Sequence, residues 1–227
     1  MRPLRVLSAP NPQFPSMSIN IQYGAGLCGP SSWRNFDSSP MLRLQRAPLL
    51  KLLPIARRGA QYPQTVVYGD VVKGLPVDSR SADLAYCSHT LEHLSLGDCR
   101  IALKETFRIL KPGGSFRAVL PDIRFICRQY LDSCTTDPAA AVKFIQDTHM
   151  GLEETPHGIE KLRRMFSRSF HLWMWDYAAM RLELEKVGFV DIRPASFGDS
   201  YHSAYTDVES GPRWENALGF EARKPII

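Results

Sequence analysis

The sequence predicts an α/β fold with a mostly parallel sheet covered by helices on both faces. Three observations carry that prediction. Short β-branched or apolar runs recur at "MSINIQY", "TVVYG", "ADLAYC" and "SFRAVL". Segments of helical period alternate with them, and Gly-rich or acidic junctions follow several of the runs. In such sheets ligands gather at the carboxyl ends of the strands.

The elements follow in order. A strand over 17–23 ends in the turn "GAGLCGPSS", and "WRNF" forms a second strand running into Asp37. A leucine-rich stretch precedes a strand over 65–69 that ends at Asp70, and 82–87 is the fourth strand. Ser95 with Asp98 three residues on marks a helix start; Leu103, Phe107 and Leu110 keep helical spacing up to the breaker "KPGG". The fifth strand, "SFRAVL", is followed over 123–175 by helical segments without a clear strand, an expected cap over the strand ends. "DYAAMRLELEKVGF" reads as a helix stopped at Gly188, followed by a strand "VDIRPASF" and a closing strand near "ALGFEARKP". The expected division is an N-terminal extension over 1–17, a core over 18–122 and 171–227, and a helical insertion over 123–170.

Composition narrows the function. A chain of 227 residues with 44% hydrophobic content has enough material for a buried core. No apolar run reaches the roughly 20 residues needed to cross a bilayer, and the proline-rich start does not read as a signal peptide, so a cytoplasmic location is expected. Five scattered cysteines without a C-x-x-C pair point to neither disulfides nor a thiolate metal site. Residues 1–60 carry eight Lys/Arg against the single acid Asp37. The segment "MLRLQRAPLLKLLPIARRG" fits a core-packing helix with a basic face, interrupted by Pro48 and Pro54; peripheral contact with an anionic membrane, or a homodimer through its leucines, is the other reading. The basic residues are not interleaved with aromatics, so nucleic acid is not an expected partner.

Two motifs carry chemistry. "GAGLCG" (24–29) satisfies G-x-G-x-x-G, yet only seven residues separate Gly29 from Asp37, too few for a full crossover helix. A short glycine turn with an acid at the next strand end can instead hold an adenosine, with Asp37 on the ribose hydroxyls and Asp70 near the adenine. Each acid singly reads as well as a loop carboxylate capping backbone amides. "HTLEH" (89–93) matches H-x-x-E-H literally. Its place just past a strand, however, takes His89 and His93 off successive turns of a regular helix. Nothing in the spacing selects a third ligand from His149, His157, His171 or His202, and no metal is expected.

The run from "VVYGD" through "SHTLEHL", "LKPGG" and "LPD", with "INIQYGAG" and "NFDSSP" before it and "HLWMWDY" and "LGFEARKP" after it, resembles the class I S-adenosylmethionine-dependent methyltransferases, type 11 branch. The resemblance covers roughly 18–122 and 171–224. It implies a Rossmann-like seven-stranded sheet with an antiparallel last strand. S-adenosylmethionine is the implied cofactor, with contacts at Tyr23, Gly24, Gly26, Asp37, Asp70, Val71, Ser88 and His89. Gln22 departs from the family, which usually has a glycine there; a side chain at that place can crowd or hydrogen-bond the methionine end of the cofactor.

Methyl transfer asks mainly for alignment and exclusion of water, and for a base when the acceptor is a hydroxyl. The expected bases are His89, Asp122 and His171. Trp175, Arg163 and Arg164 are expected to face a small-molecule acceptor, a sugar or sugar phosphate, methylated at oxygen or nitrogen; a solvated helix face explains the arginines equally. Two alternatives remain: a methyltransferase-like binding module without turnover, and a zinc hydrolase built on "HTLEH".

Overall fold

Seven strands hydrogen-bond in the order β3-β2-β1-β4-β5-β7-β6 in the computed structural model, which describes residues 18–49, 56, 60–152, 154–155 and 170–226. The strands are β1 (Asn20–Tyr23), β2 (Arg34–Asp37), β3 (Val66–Tyr68), β4 (Ala82–Ser88), β5 (Leu110–Pro121), β6 (Val190–Pro194) and β7 (Ala217–Arg223). The first five pair in parallel, and β7 runs antiparallel between β5 and β6. The sequence reading of an antiparallel closing strand and of all seven strand positions therefore holds. The helices among the described residues are α1 (Pro40–Arg46), α2 (Leu96–Ile109), α3 (Ile123–Ser133), α4 (Ala140–Thr148) and α5 (Tyr177–Val187).

Alternation along the strands divides the interior. Ile21, Tyr23, Ala85, Cys87, Phe116, Ala118, Leu120 and Phe220 face α2 and α5 and form the main core with Leu103, Met180 and Leu184. The helices are held by the caps the sequence announced. The Ser95 hydroxyl accepts the Asp98 N–H, Asp176 accepts the Ala179 N–H, and Gly188 ends α5 at φ 105°. Between β2 and β3, α1 packs apart from that core, with Leu42 against Ala25 and Val66.

No helix lies between β1 and β2. The two parallel neighbours are joined by residues 24–33 in a chain of turns, shorter than the usual crossover. Residues from near the C-terminus take the helix's place. Trp33, Tyr86, Val119, Tyr205 and Val208 form a second cluster, and the Trp33 Nε1–H donates to the Ala204 carbonyl at 3.1 Å. Beneath them the sheet is polar. The Arg117 side chain, with no exposed surface, donates to Glu209, Asp199, Glu221 and the Ser196 carbonyl and lies 4.6 Å over the Trp214 ring.

The "KPGG" breaker turned out to be a bulge inside β5. Ala82 faces Leu110 while Leu84 faces Ser115, so Lys111–Gly114 stand opposite the single Asp83, turned by Gly113 at φ 81° and tied by Lys111 to Asp83 at 2.7 Å. Helices α3 and α4 pack on each other through Tyr130 and Phe144. The N-terminal extension, residues 50–55, "EKLRRMF", His157, Arg163, Arg164 and Arg168 lie outside the described residues. No helix among the described residues is long and apolar enough to cross a membrane, and all five cysteines are free.

Candidate functional site

The carboxyl ends of β1, β2 and β4 meet at the glycine turn. Both Gly24 (φ 64°) and Gly26 (φ 54°) take left-handed backbone, which L side chains adopt at a cost. Their surroundings differ. A Cβ on Gly24 would stand 2.0 Å from the Thr90 hydroxyl oxygen, whereas one on Gly26 would meet nothing within 4 Å. Gly24 thus lets the turn close against the strand-four loop, and Gly26 borders open space.

Asp37 ties this turn to the next element. Its Oδ2 accepts the Gly26 N–H at 2.8 Å and its Oδ1 the Ser39 N–H at 2.7 Å, just before Ser39 caps α1 with Pro40 in its first turn. An ionised carboxylate has about four acceptor positions, so the two amides leave acceptor capacity on the side of Gly26. The capping role read for a lone acid is present, and it does not exhaust the group. Asp70, after β3, accepts the Val72 N–H at 3.0 Å and pairs with Lys73 at 3.6 Å.

Two expected cofactor contacts, Tyr23 and Val71, and the departing residue Gln22 have buried side chains. The Tyr23 hydroxyl is buried against Thr106 at 3.0 Å, and burial pushes its pKa well up. The Val71 side chain belongs to the main core. Gln22 is buried in the sheet with Asn35 and Tyr86 as cross-strand neighbours, and its Oε1 has no hydrogen-bond partner.

At the end of β4 the chain breaks sharply. His89 sits at φ 47°, and one 3₁₀ turn holds Leu91–His93. His89 Nε2 meets the Arg213 carbonyl at 2.9 Å, and Nδ1 lies 3.4 Å from Glu92. Burial works against protonation of His89, yet Glu92 and the Arg213 carbonyl outweigh it and raise its pKa. Arg213 also reaches the Ser88 carbonyl and hydroxyl at 3.4 and 3.3 Å. His93 turns the other way, with Nδ1 at 3.0 Å from the Phe170 carbonyl. The literal H-x-x-E-H pattern therefore diverges, since its two histidines serve different neighbours.

The remaining expected residues are dispersed. Asp122 caps α3, accepting the Arg124 N–H at 2.9 Å, and bridges to Trp175. Trp175 is 2% exposed and packs in the main core; the exposed indole is that of Trp173 at 41%. The Trp175 side chain is thus part of the core, beside the backbone bridge to Asp122. His171 is buried with Nδ1 unpartnered, and its pKa is lowered, first by burial and then by the neighbouring His93 and His149 against the pull of Glu92. Arg213 and Thr90 were not singled out by sequence. Both act across long chain separations; Thr90 occupies a variable position of "HTLEH", and Arg213 sits in no recognisable motif.

Comparison with known proteins gives one family match over part of the chain. Residues 48–118 match the family described as a methyltransferase domain. No curated protein matched. Among solved structures, the Haloferax volcanii complex of the Trm112 methyltransferase activator with a methyltransferase aligns at TM-score 0.48 and 15% identity over 92% of this chain and 82% of that one. A Thermotoga maritima SAM-dependent methyltransferase aligns at 0.48 and 19% over 91% and 82%. Phosphoethanolamine N-methyltransferase 2 of Haemonchus contortus, with S-adenosyl-L-methionine, aligns at 0.46 and 15% over 92% and 49%.

Proposed function

We propose, from the premise that this chain carries the methyltransferase domain and takes S-adenosylmethionine as its cofactor, that it methylates a small-molecule acceptor at oxygen or nitrogen. The observation that carries the reading is Asp37. Its carboxylate is anchored by two backbone amides and keeps acceptor capacity beside the one glycine of the turn that faces open space. That is what a ribose with two adjacent hydroxyls requires. Asp70 and the backbone of Val71 would border the adenine, and Ser88 and His89 the methionine end.

The bound cofactor supplies a methyl group activated by a sulfonium. The chain's own part is to hold the acceptor in line and keep water out. Arg213 contributes to the second task, because its contacts to Ser88 and His89 lay the loop before β7 over the end of β4. A sugar or sugar phosphate is the acceptor class we favour. The cationic "LRRMFSR" stretch, with Arg163 and Arg164, supports it through the affinity of guanidinium for phosphate.

Transfer of labelled methyl from S-adenosylmethionine to a panel of sugars, sugar phosphates and small amines tests this. Turnover on phosphorylated sugars that falls with Arg163→Glu and Arg164→Glu is expected. Turnover on the panel that ignores both substitutions would remove the phosphate assignment, and none on any member would remove the acceptor class.

A further inference from the structure

A second constellation lies beside the turn after β4, and the methyl-transfer reading makes no use of it. Glu92, His93 and His171 each present a ligand atom, and these atoms lie within 4.8 Å of one another; no other such group of three occurs among the described residues. The Glu92 side chain is 1% exposed, and neither of its oxygens has a hydrogen-bond partner. His89 Nδ1 and His93 Nε2 stand 3.4 and 4.0 Å from Oε1. A carboxylate buried in this way needs a cation or a proton to offset its lost hydration.

The two imidazoles are oriented as ligands are. His93 directs Nδ1 to the Phe170 carbonyl, so that nitrogen carries the proton and Nε2 keeps its lone pair toward Glu92. His171 Nδ1 is buried without a partner. A backbone carbonyl on the outer nitrogen, as on His93, fixes tautomer and ring plane, the arrangement found behind metal-bound histidines.

We propose that Glu92, His93 Nε2 and His171 Nδ1 form a binding site for one divalent transition ion of the zinc class. Two imidazole nitrogens and one carboxylate oxygen suit such an ion, whereas magnesium and calcium prefer oxygen ligands. Zinc bonds of about 2.0–2.1 Å put tetrahedral ligand atoms roughly 3.4 Å apart, so atoms now within 4.8 Å of one another must close by up to about 1.4 Å. The segments are already joined, since the Leu172 and Trp173 amides both donate to the Glu92 carbonyl at 2.7 and 3.2 Å. Binding would cross-link the turn after β4 to the segment entering α5. His89 does not belong to the group whose ligand atoms all lie within 4.8 Å of one another.

The test is metal uptake by the full chain, stripped with a chelator and dialysed against micromolar Zn²⁺ or millimolar Mg²⁺. One equivalent of zinc, no magnesium and a zinc-dependent rise in Tm are expected. Affinity should fall at least 100-fold in Glu92→Gln and His171→Asn. It should change less than 3-fold in His149→Asn, which removes the exposed imidazole 5.0 Å from the His171 ring. Should the buried variants fail to fold, Co²⁺ added to the wild type must give the intense visible absorption of a four-coordinate nitrogen–oxygen site. No zinc uptake by the wild type, equal uptake by His171→Asn, or a six-coordinate Co²⁺ spectrum would overturn the proposal. None of these readouts depends on cofactor binding or turnover.

Discussion

Replacing Arg117 with Met should destabilise the protein and weaken its hold on the cofactor together. The guanidinium has no exposed surface and faces three carboxylates. They do not lose equally. Glu221 keeps Arg193 at 2.7 Å and Asp199 keeps it at 2.9 Å, whereas Glu209, 1% exposed, loses its cation. Stranding one buried charge costs about 3–5 kcal/mol, and the loss at part-exposed Asp199 adds about 1 kcal/mol or less. At roughly 2–4 °C per kcal/mol for a chain of this size, thermal melting followed by circular dichroism should shift down by about 6–24 °C. Adding Glu209→Gln to Arg117→Met should recover more than half of the loss, because the stranded charge is then gone. The loops anchored by Arg117 include Ser196–Asp199 and Glu209, next to Arg213 over Ser88 and His89, so S-adenosylhomocysteine affinity should fall as well. A shift below about 2 °C, or no recovery in the double variant, would refute the claim that this buried cation holds these loops together.

The two glycines should separate in denaturant unfolding. Gly26→Ala should cost about 1–2 kcal/mol for its left-handed backbone, and Gly24→Ala clearly more, because its methyl group also meets Thr90; equal costs would contradict the packing described. Ser95→Ala should remove about 1 kcal/mol through the lost cap on α2, read from the shift in denaturant midpoint. Glu183 is held down to about 2 by Arg100, with Lys186 adding to it and burial opposing. A depressed carboxylate stabilises the fold above its unfolded value and loses that contribution as the pH falls toward about 2. Glu183→Gln should therefore flatten the acid limb of stability between roughly pH 5 and 2 and leave the slope above pH 6 unchanged.

Much of the sheet was legible because its signals are local. Apolar runs of strand length, the acids Asp37 and Asp70 at strand ends, the Ser95 and Asp176 caps and the Gly188 stop all act within a few residues of themselves. The glycine turn was legible for the same reason, as was the lack of room for a helix after it. What replaces that helix was not, because Trp33, Tyr86 and Tyr205 meet across more than a hundred residues and no local pattern announces it. The "KPGG" run reads correctly as a break, yet only the register of β4 against β5 shows that the break is a bulge. Trp175 and Trp173 differ in exposure, and the bridge of Trp175 to Asp122 is a pairing invisible in sequence. His171 was one of four equivalent third-ligand choices until the fold set its ring 5.1 Å from that of His93.

The account rests on Asp37 holding a ribose beside Gly26. Calorimetric titration of S-adenosylhomocysteine into wild type, Asp37→Ala and Asp37→Asn tests it most directly. Micromolar binding by the wild type, a loss of at least 30-fold in Asp37→Ala and an intermediate value in Asp37→Asn are predicted. Absence of binding by the wild type, or equal binding by all three proteins, would contradict the assignment of this turn as the cofactor site.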